Sequence, residues 1–226
     1  GVGSGTGGNP DLKPIVSNNF DAGLEWYFAK QSLLSATAFY MDLKNYVGIG
    51  SSSRSIFSFG NGFLPGGQTV NYLLSTPVNA KGRVEGAEIA YQQAFTENFG
   101  FISNYTFADG RQTSLVTNGD ARLVGTSKNT YNVQGYFENK MFSARVAYTY
   151  RSAFFSGLDR NTAFSQEAIG ALSASLVYNV TDNFTIQVDG QNLNNPILKY
   201  AAINDDQPRA FYKNGAQYYL TVRFKM

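Results

Sequence analysis

The chain has 226 residues, 43% of them apolar, with 23 glycines, 15 tyrosines and 18 phenylalanines against one tryptophan, and with no cysteine or histidine. Disulfide frameworks and the common zinc, haem and copper sites are thereby excluded, and only oxygen-ligand metals stay open. The formal charge of +2, with basic residues scattered rather than clustered, gives no footprint for nucleic acid, and no apolar run reaches the ~18 residues of a membrane helix, which leaves membrane strands as the untested alternative.

The opening segment, GVGSGTGGNPDLKP, holds Gly3, Gly5 and Gly8 at the G-x-G-x-x-G spacing of a dinucleotide loop. Such a loop works only where a strand runs into a helix, whose N-terminus receives the phosphates. Pro10 and Pro14 follow here, and no amphipathic helix does. Residues 1–17 are therefore expected as a flexible, glycine-rich external loop leading into the first strand, and residues 18–226 as one continuous body.

From there the chain alternates. Phe20, Ala22, Leu24, Trp26 and Phe28 fall on one side of an extended strand, with Asp21, Gly23, Glu25 and Tyr27 on the other. Residues 33–45 and 83–93 also read as strands, with a phase that the pattern leaves open. Phe99, Phe101, Tyr105 and Phe107 oppose Asn104 and Thr106; Tyr131, Val133 and Phe137 oppose Asn132, Gln134 and Glu138. In residues 142–151, Phe142, Ala144, Val146, Tyr148 and Tyr150 face away from Ser143, Arg145, Ala147, Thr149 and Arg151. Leu172, Ala174, Leu176 and Tyr178 oppose Ser173 and Ser175, and Phe184, Ile186 and Val188 oppose Thr185, Gln187 and Asp189. Last, Tyr218, Leu220, Val222, Phe224 and Met226 oppose Gln217, Thr221, Arg223 and Lys225. These make about nine strands, each near the ~10 residues that cross a bilayer at a tilt.

A soluble β-sandwich alternates in the same way, so the connections have to separate the two. Tight turns (AKQS after Phe28, TEN after Phe95, NK after Glu138, TDN after Val180) alternate with long excursions. The latter take roughly 35 residues around Phe57 and Tyr72, roughly 20 around Gly119, and loops around Phe154 and Asp205. Outer-membrane barrels carry this asymmetry, because one rim only reverses the chain while the other meets the ligand. Aromatic rings bracket the short turns at Phe28, Phe95, Phe99, Phe137, Phe142, Tyr178 and Phe184, as a headgroup girdle would. The expected fold is all-β: an antiparallel, up-and-down transmembrane β-barrel. With the short turns periplasmic, the last strand runs down to the periplasm, and so does the first of about nine. A complete barrel has an even number of strands, so the chain is expected to be part of a larger one.

Gly8-Asn9-Pro10-Asp11-Leu12-Lys13-Pro14, leading to Gly23-Leu24-Glu25, resembles the segment that opens the last third of TonB-dependent outer-membrane receptors, G-N-P-x-L-x-P-E-x-S. The resemblance continues in Ala38-Phe39-Tyr40 with Asp42-Leu43-Lys44-Asn45-Tyr46, in Gly82-Arg83-Val84-Glu85-Gly86-Ala87-Glu88, in Asn104-Tyr105-Thr106, in Gln191-Asn192-Leu193-Asn194-Asn195 and in the closing strand from Tyr218. Ile15 stands where that family commonly has Glu, and Met226 where it has a terminal aromatic. The resemblance implies a barrel of about 22 strands in the bacterial outer membrane, filled by a plug domain that carries the TonB contact. This chain would supply the C-terminal wall without the plug, inserted by the barrel assembly machinery. It further implies uptake of a scarce solute, a siderophore or an oligosaccharide, driven through TonB, with neither catalysis nor a cofactor.

On that reading the ligand-contact candidates are the loop residues Phe57, Phe59, Phe63, Tyr72, Phe154, Phe155, Tyr200, Arg160 and Arg209, since aromatic faces suit sugars or aryl siderophores and Arg suits carboxylates. The competing reading is that these rings pack the loops against each other. Glu25, Glu88, Glu138, Arg145, Arg151, Asp189, Arg223 and Lys225 are lumen-facing, where they meet either the plug or water. Asp205 and Asp206 beside Asn204 read as a turn rather than a calcium loop. The N-x-T triplets at Asn104, Asn179 and Asn183 carry no weight. Two other functions fit the sequence: a structural or adhesive barrel without a plug, and a soluble carbohydrate-binding β-sandwich.

Overall fold

The computed structural model describes residues 3–60, 66–112, 122–159, 162–202, 204 and 206–225. Every regular element among them is a strand: β1 (Gly3–Thr6), β2 (Val16–Ala29), β3 (Ser32–Ser58), β4 (Gln68–Ala94), β5 (Phe99–Gln112), β6 (Asn129–Glu138), β7 (Phe142–Arg151), β8 (Phe154–Asp159), β9 (Thr162–Gln166), β10 (Ile169–Thr181), β11 (Phe184–Gln191), β12 (Ile197–Ala202), β13 (Pro208–Lys213) and β14 (Gln217–Phe224). The chain forms two compact units, one of Gly1–Asn18, Met41–Arg83 and Arg111–Ala121, the other of Asn19–Tyr40, Val84–Gly110 and Arg122–Met226. One sheet takes the order β14-β11-β10-β7-β6-β5-β4-β3-β2, with β1 added to β4, and a second takes β13-β12-β9-β8. The nine expected strands are the nine members of that first path. Their sheet is not closed: β14 ends it on one side and β2 on the other.

In the second unit the register carries the sequence pattern from strand to strand. Phe99, Phe137, Ala144, Leu176, Val188 and Leu220 form one continuous row across six antiparallel strands. The next row is Gly100, Tyr136, Arg145, Ser175, Asp189 and Tyr219. Successive residues point to opposite faces, so one face is apolar and the other polar, and a slip of one residue in any pairing would mix them. The apolar face is uncovered. Phe20, Trp26, Val146, Leu176, Val188 and Val222 are exposed, and Leu24 and Leu220 retain 81% and 71% of their accessible surface. A sandwich would bury these rows against a second sheet, so the sandwich reading is rejected. Water does not tolerate an apolar surface of this extent, whereas lipid requires it.

The tight turns repeat one chemistry. Thr96 Oγ1 accepts from the Asn98 and Phe99 amides at 3.2 and 3.0 Å, Asn139 Oδ1 from the Met141 and Phe142 amides at 2.9 and 2.7 Å, and Thr181 Oγ1 from the Asn183 amide at 3.3 Å. Each short polar side chain thus replaces a backbone partner that the reversal removes. In the turn after β2, Gln31 takes a left-handed φ of 54°. Rings cluster at this rim as the sequence suggests: Phe95 stacks on Phe99 and Phe142 on Tyr178, with centroids 5.8 and 4.8 Å apart.

The long excursions differ from expectation. Residues around Phe57 and Tyr72 are not loop, because β3 runs on to Ser58 and β4 starts at Gln68. Glycines and serines at 48–55 read locally as loop, yet β4 supplies a backbone partner for them, and pairing overrides propensity. Similarly, the loops around Phe154 and Asp205 fold into β8, β9, β12 and β13. The glycine-rich start is not a flexible loop throughout, since Gly3–Thr6 pairs in parallel with residues 72–75 of β4. A Cβ on Gly5 or Gly7 would sit 3.2 Å from the Leu74 side chain, so the glycines serve close strand approach. The chain then runs through a turn at Pro10 and Asp11 into β2. Among the described residues of this first unit, β4 contributes the buried Val70, Leu74, Thr76 and Ala80, and the end of β5 the buried Gln112.

Candidate functional site

The polar face of the second unit carries two cavities. One, of about 460 Å³, is lined by Gln134, Arg145, Ser173, Ser175, Asp189, Gln191, Tyr219 and Thr221 among others. The other, of about 500 Å³, is lined by Gln92, Glu97, Gln134, Tyr136, Glu138 and Arg145 among others. Arg145 belongs to both and lies 3.6 Å from Glu138, with both side chains more than half exposed. A pair so solvated contributes little to stability, and its charges stay available to a third group. Gln187 donates to both Asp189 oxygens at 2.9 Å, which fixes that carboxylate against the wall. Strands place these groups by parity alone, every second residue of β6, β7, β10 and β11 turning to this side.

The remaining wall candidates are spread along the sheet. Glu25, on the edge strand β2, accepts a hydrogen bond from the Tyr27 hydroxyl at 2.6 Å. Glu88 is exposed on β4 and shares the parity of Gln92. Arg223 lies opposite Thr185 on β14, and the Lys225 amide donates to the Asn183 carbonyl at 2.9 Å. Arg151 has a different role. Its guanidinium donates to Ser127 Oγ at 2.6 Å and to the Gly125 carbonyl, and it lies 3.8 Å over the Phe154 ring. That side chain ties residues 125–127 to the start of β8 instead of lining the cavities.

The ligand-contact candidates do not converge. Phe57 and Phe59 lie in the first unit, edge to face at 5.2 Å, with Phe59 91% exposed. Tyr72, in the same unit, is half-buried on β4 opposite Gly3. In the second unit Phe154 and Phe155 are interior: Phe155 keeps 1% of its surface, within a small core that also holds Leu123, Ala201 and Ala202. Both rings are covered within this unit and not presented at its surface. Tyr200 stacks on Phe164 at 5.0 Å, meets Tyr212 edge-on at 6.0 Å and donates to Gln166 Oε1 at 3.1 Å. Arg209 is exposed on β13. Phe63, Arg160 and Asp205 lie outside the described residues; Asp206 donates its amide to Asn204 Oδ1 at 3.1 Å, as a turn does.

Sequence reasoning missed Phe164, Tyr212 and Arg122, whose guanidinium lies 5.6 Å from the Phe155 ring centroid and donates to Ser165 at 3.3 Å. The one signal for Phe164 and Tyr212 was the alternation in TAFSQ and PRAFYK, too short to separate from loop, and Arg122 lies in neither segment.

A family model described as "TonB dependent receptor-like, beta-barrel" matches residues 1–193. Solved structures similar to the chain include the ferric-catecholate import receptor Fiu from E. coli K12, at 22% identity and TM-score 0.65, over 96% of this chain and 28% of that one. They include the copper transporter OprC, at 15% identity and TM-score 0.66, over 95% and 32%. A mutant of the ferric enterobactin receptor PfeA from Pseudomonas aeruginosa matches at 16% identity and TM-score 0.68, over 94% and 31%. The chain thus spans about a third or less of these receptors, and at such identities the likeness is one of fold. No curated protein matches the sequence.

Proposed function

The chain belongs to the TonB-dependent receptor-like β-barrel family, and from that premise we propose that it is the C-terminal wall of a bacterial outer-membrane receptor that takes up a scarce solute with energy delivered through TonB. One observation carries this reading: a register that runs one apolar and one polar row across six strands and so sets an uncovered apolar face against a polar face holding Arg145 and Asp189. Lipid occupies the first face. A plug domain supplied by the rest of the polypeptide faces the second, where Glu25, Glu88, Glu138, Arg145, Asp189 and Arg223 offer it both signs of charge. The barrel assembly machinery inserts the molecule, with β14 as its closing strand. Transport, not catalysis, is the activity.

For the solute we favour a siderophore. Fiu is a ferric-catecholate import receptor and PfeA a ferric enterobactin receptor, and the exposed rings Phe57 and Phe59 of the first unit suit an aryl chelate. An oligosaccharide is the alternative that the same rings would serve by stacking. Deleting the full-length gene and measuring growth and uptake under iron limitation, and separately on single sugars, decides between them. We expect induction by iron starvation, loss of ferric-chelate uptake on deletion, and loss of uptake when a protonophore collapses the inner-membrane gradient. A defect confined to a sugar would replace the siderophore with an oligosaccharide, and protonophore-insensitive uptake or no uptake defect would favour a plugless structural barrel.

A further inference from the structure

Residues 8–14, Gly-Asn-Pro-Asp-Leu-Lys-Pro, join two strands that sit on opposite edges of the β3–β4 pair. β1 takes one edge of β4, with Gly3, Ser4, Gly5 and Thr6 beside Tyr72, Leu73, Leu74 and Ser75. β3 holds the other edge, its Ser55 hydroxyl donating to Asn71 Oδ1 at 2.6 Å. β2 lies beyond β3. A chain leaving β1 for β2 therefore has to cross the face of both strands.

The crossing is fastened at each step. The Gly7 amide donates to the Ser75 carbonyl at 3.0 Å, and the Asn9 amide group to the Pro77 carbonyl at 3.1 Å. Asn79 then meets the strap with both ends of its carboxamide, Oδ1 accepting from the Lys13 N–H at 2.7 Å and Nδ2 donating to the Lys13 carbonyl at 3.0 Å. The same Nδ2 donates to the Asn45 carbonyl on β3 at 2.9 Å, while Asn45 donates to the Pro14 carbonyl at 3.3 Å. Asn45 adopts a φ of 56°, a left-handed conformation that asparagine tolerates better than most residues. Only a carboxamide offers two donors and an acceptor on one planar head, so an aspartate of the same size could not make this set. Pro10 and Pro14 reduce the conformational freedom that the strap loses on docking.

We propose that residues 7–14 are a strap that clamps β3 and β4 together, with Asn79 as its principal positioning residue and Asn45 as the second. The strap holds the hairpin that carries Phe57, Phe59 and Tyr72 in one fixed arrangement, and it does so whatever solute the receptor takes. This assigns a structural task to the Asn-Pro-x-Leu-x-Pro segment that transport itself does not explain.

Native-state hydrogen exchange on the full-length protein in bilayers tests it. In Asn79→Ala, amides in residues 3–7, 46–58 and 68–78 should exchange roughly tenfold or more faster, as the loss of its three hydrogen bonds requires, while β6 and β7 keep their rates. Asn79→Asp keeps the acceptor for Lys13 and loses both donations, so it falls between. The register partners Thr6 and Ser75 allow a rescue, since Thr6→Cys with Ser75→Cys, oxidised in the Asn79→Ala background, should return the hairpin to the wild-type rate and release it on reduction. If Asn79→Ala does not assemble, Asn45→Ala is read in its place. Unchanged exchange of the hairpin, or acceleration that the disulfide does not reverse, overturns the proposal.

Discussion

Asn194 stands just beyond the last residue where β11 pairs with β10, and its carboxamide takes over from the backbone. Its Oδ1 accepts from the Leu172 N–H at 2.9 Å and its Nδ2 donates to the Gly170 carbonyl at 2.8 Å. Its neighbours Asn192 and Asn195 take left-handed φ values of 53° and 48°, and Leu193 folds back so that a Cβ on Gly190 would lie 2.7 Å from it. The run Gly190-Gln191-Asn192-Leu193-Asn194-Asn195 is therefore a terminator of the ladder. Asn194→Ala should lower stability by about 1 kcal/mol, and Asn194→Asp, which accepts but cannot donate, by less; heat-modifiability on gels of the full-length protein reads both. Gly170 works by a different contact. A Cβ there would collide with the Tyr148 phenol, whose ring covers the bare backbone. Gly170→Ala should cost about 1–3 kcal/mol, and most of that should vanish in Gly170→Ala with Tyr148→Leu, a coupling that a double-mutant cycle measures.

Among the elements, the strands whose phase was clearest in the sequence are those that fold as read. In β7, Phe142, Ala144, Val146, Tyr148 and Tyr150 meet Tyr178, Leu176, Ala174, Leu172 and Gly170 in β10, so two independently read patterns interlock without a slip. The consequence for substitution is position-specific. Leu176→Arg, on the apolar face, should cost about 2–4 kcal/mol near the bilayer midplane, whereas Ser173→Arg, which lines the polar cavity, should be nearly neutral; urea titration in lipid vesicles separates them. Elements beyond that six-strand register were less legible. The GIGSSSRS of β3 has loop composition, and what makes it strand is β4 alongside, a partner that no local window contains. Arg151 was legible as polar by parity, but its attachment to Ser127 and Gly125 depends on a loop more than twenty residues away in sequence. Likewise, exposed and interior rings cannot be told apart in a loop, so Phe59 and Phe155 carried one expectation and have opposite surroundings.

For the whole molecule, the decisive feature is that β2 and β14 end an open sheet. In hydrocarbon each unpaired backbone group costs several kcal/mol, so the 226-residue chain alone should fail to insert as a protease-resistant species, while the full-length receptor inserts; trypsin treatment of reconstituted vesicles compares them. The account rests on which way residues 142–151 of that receptor point. Spin labels placed singly along this strand in bilayers measure it through collision with oxygen, which concentrates in lipid. Oxygen accessibility should peak at positions 142, 144, 146, 148 and 150 and fall at 143, 145, 147 and 149. Low accessibility at the even positions, equal to that of a packed interior, would contradict the lipid-facing wall.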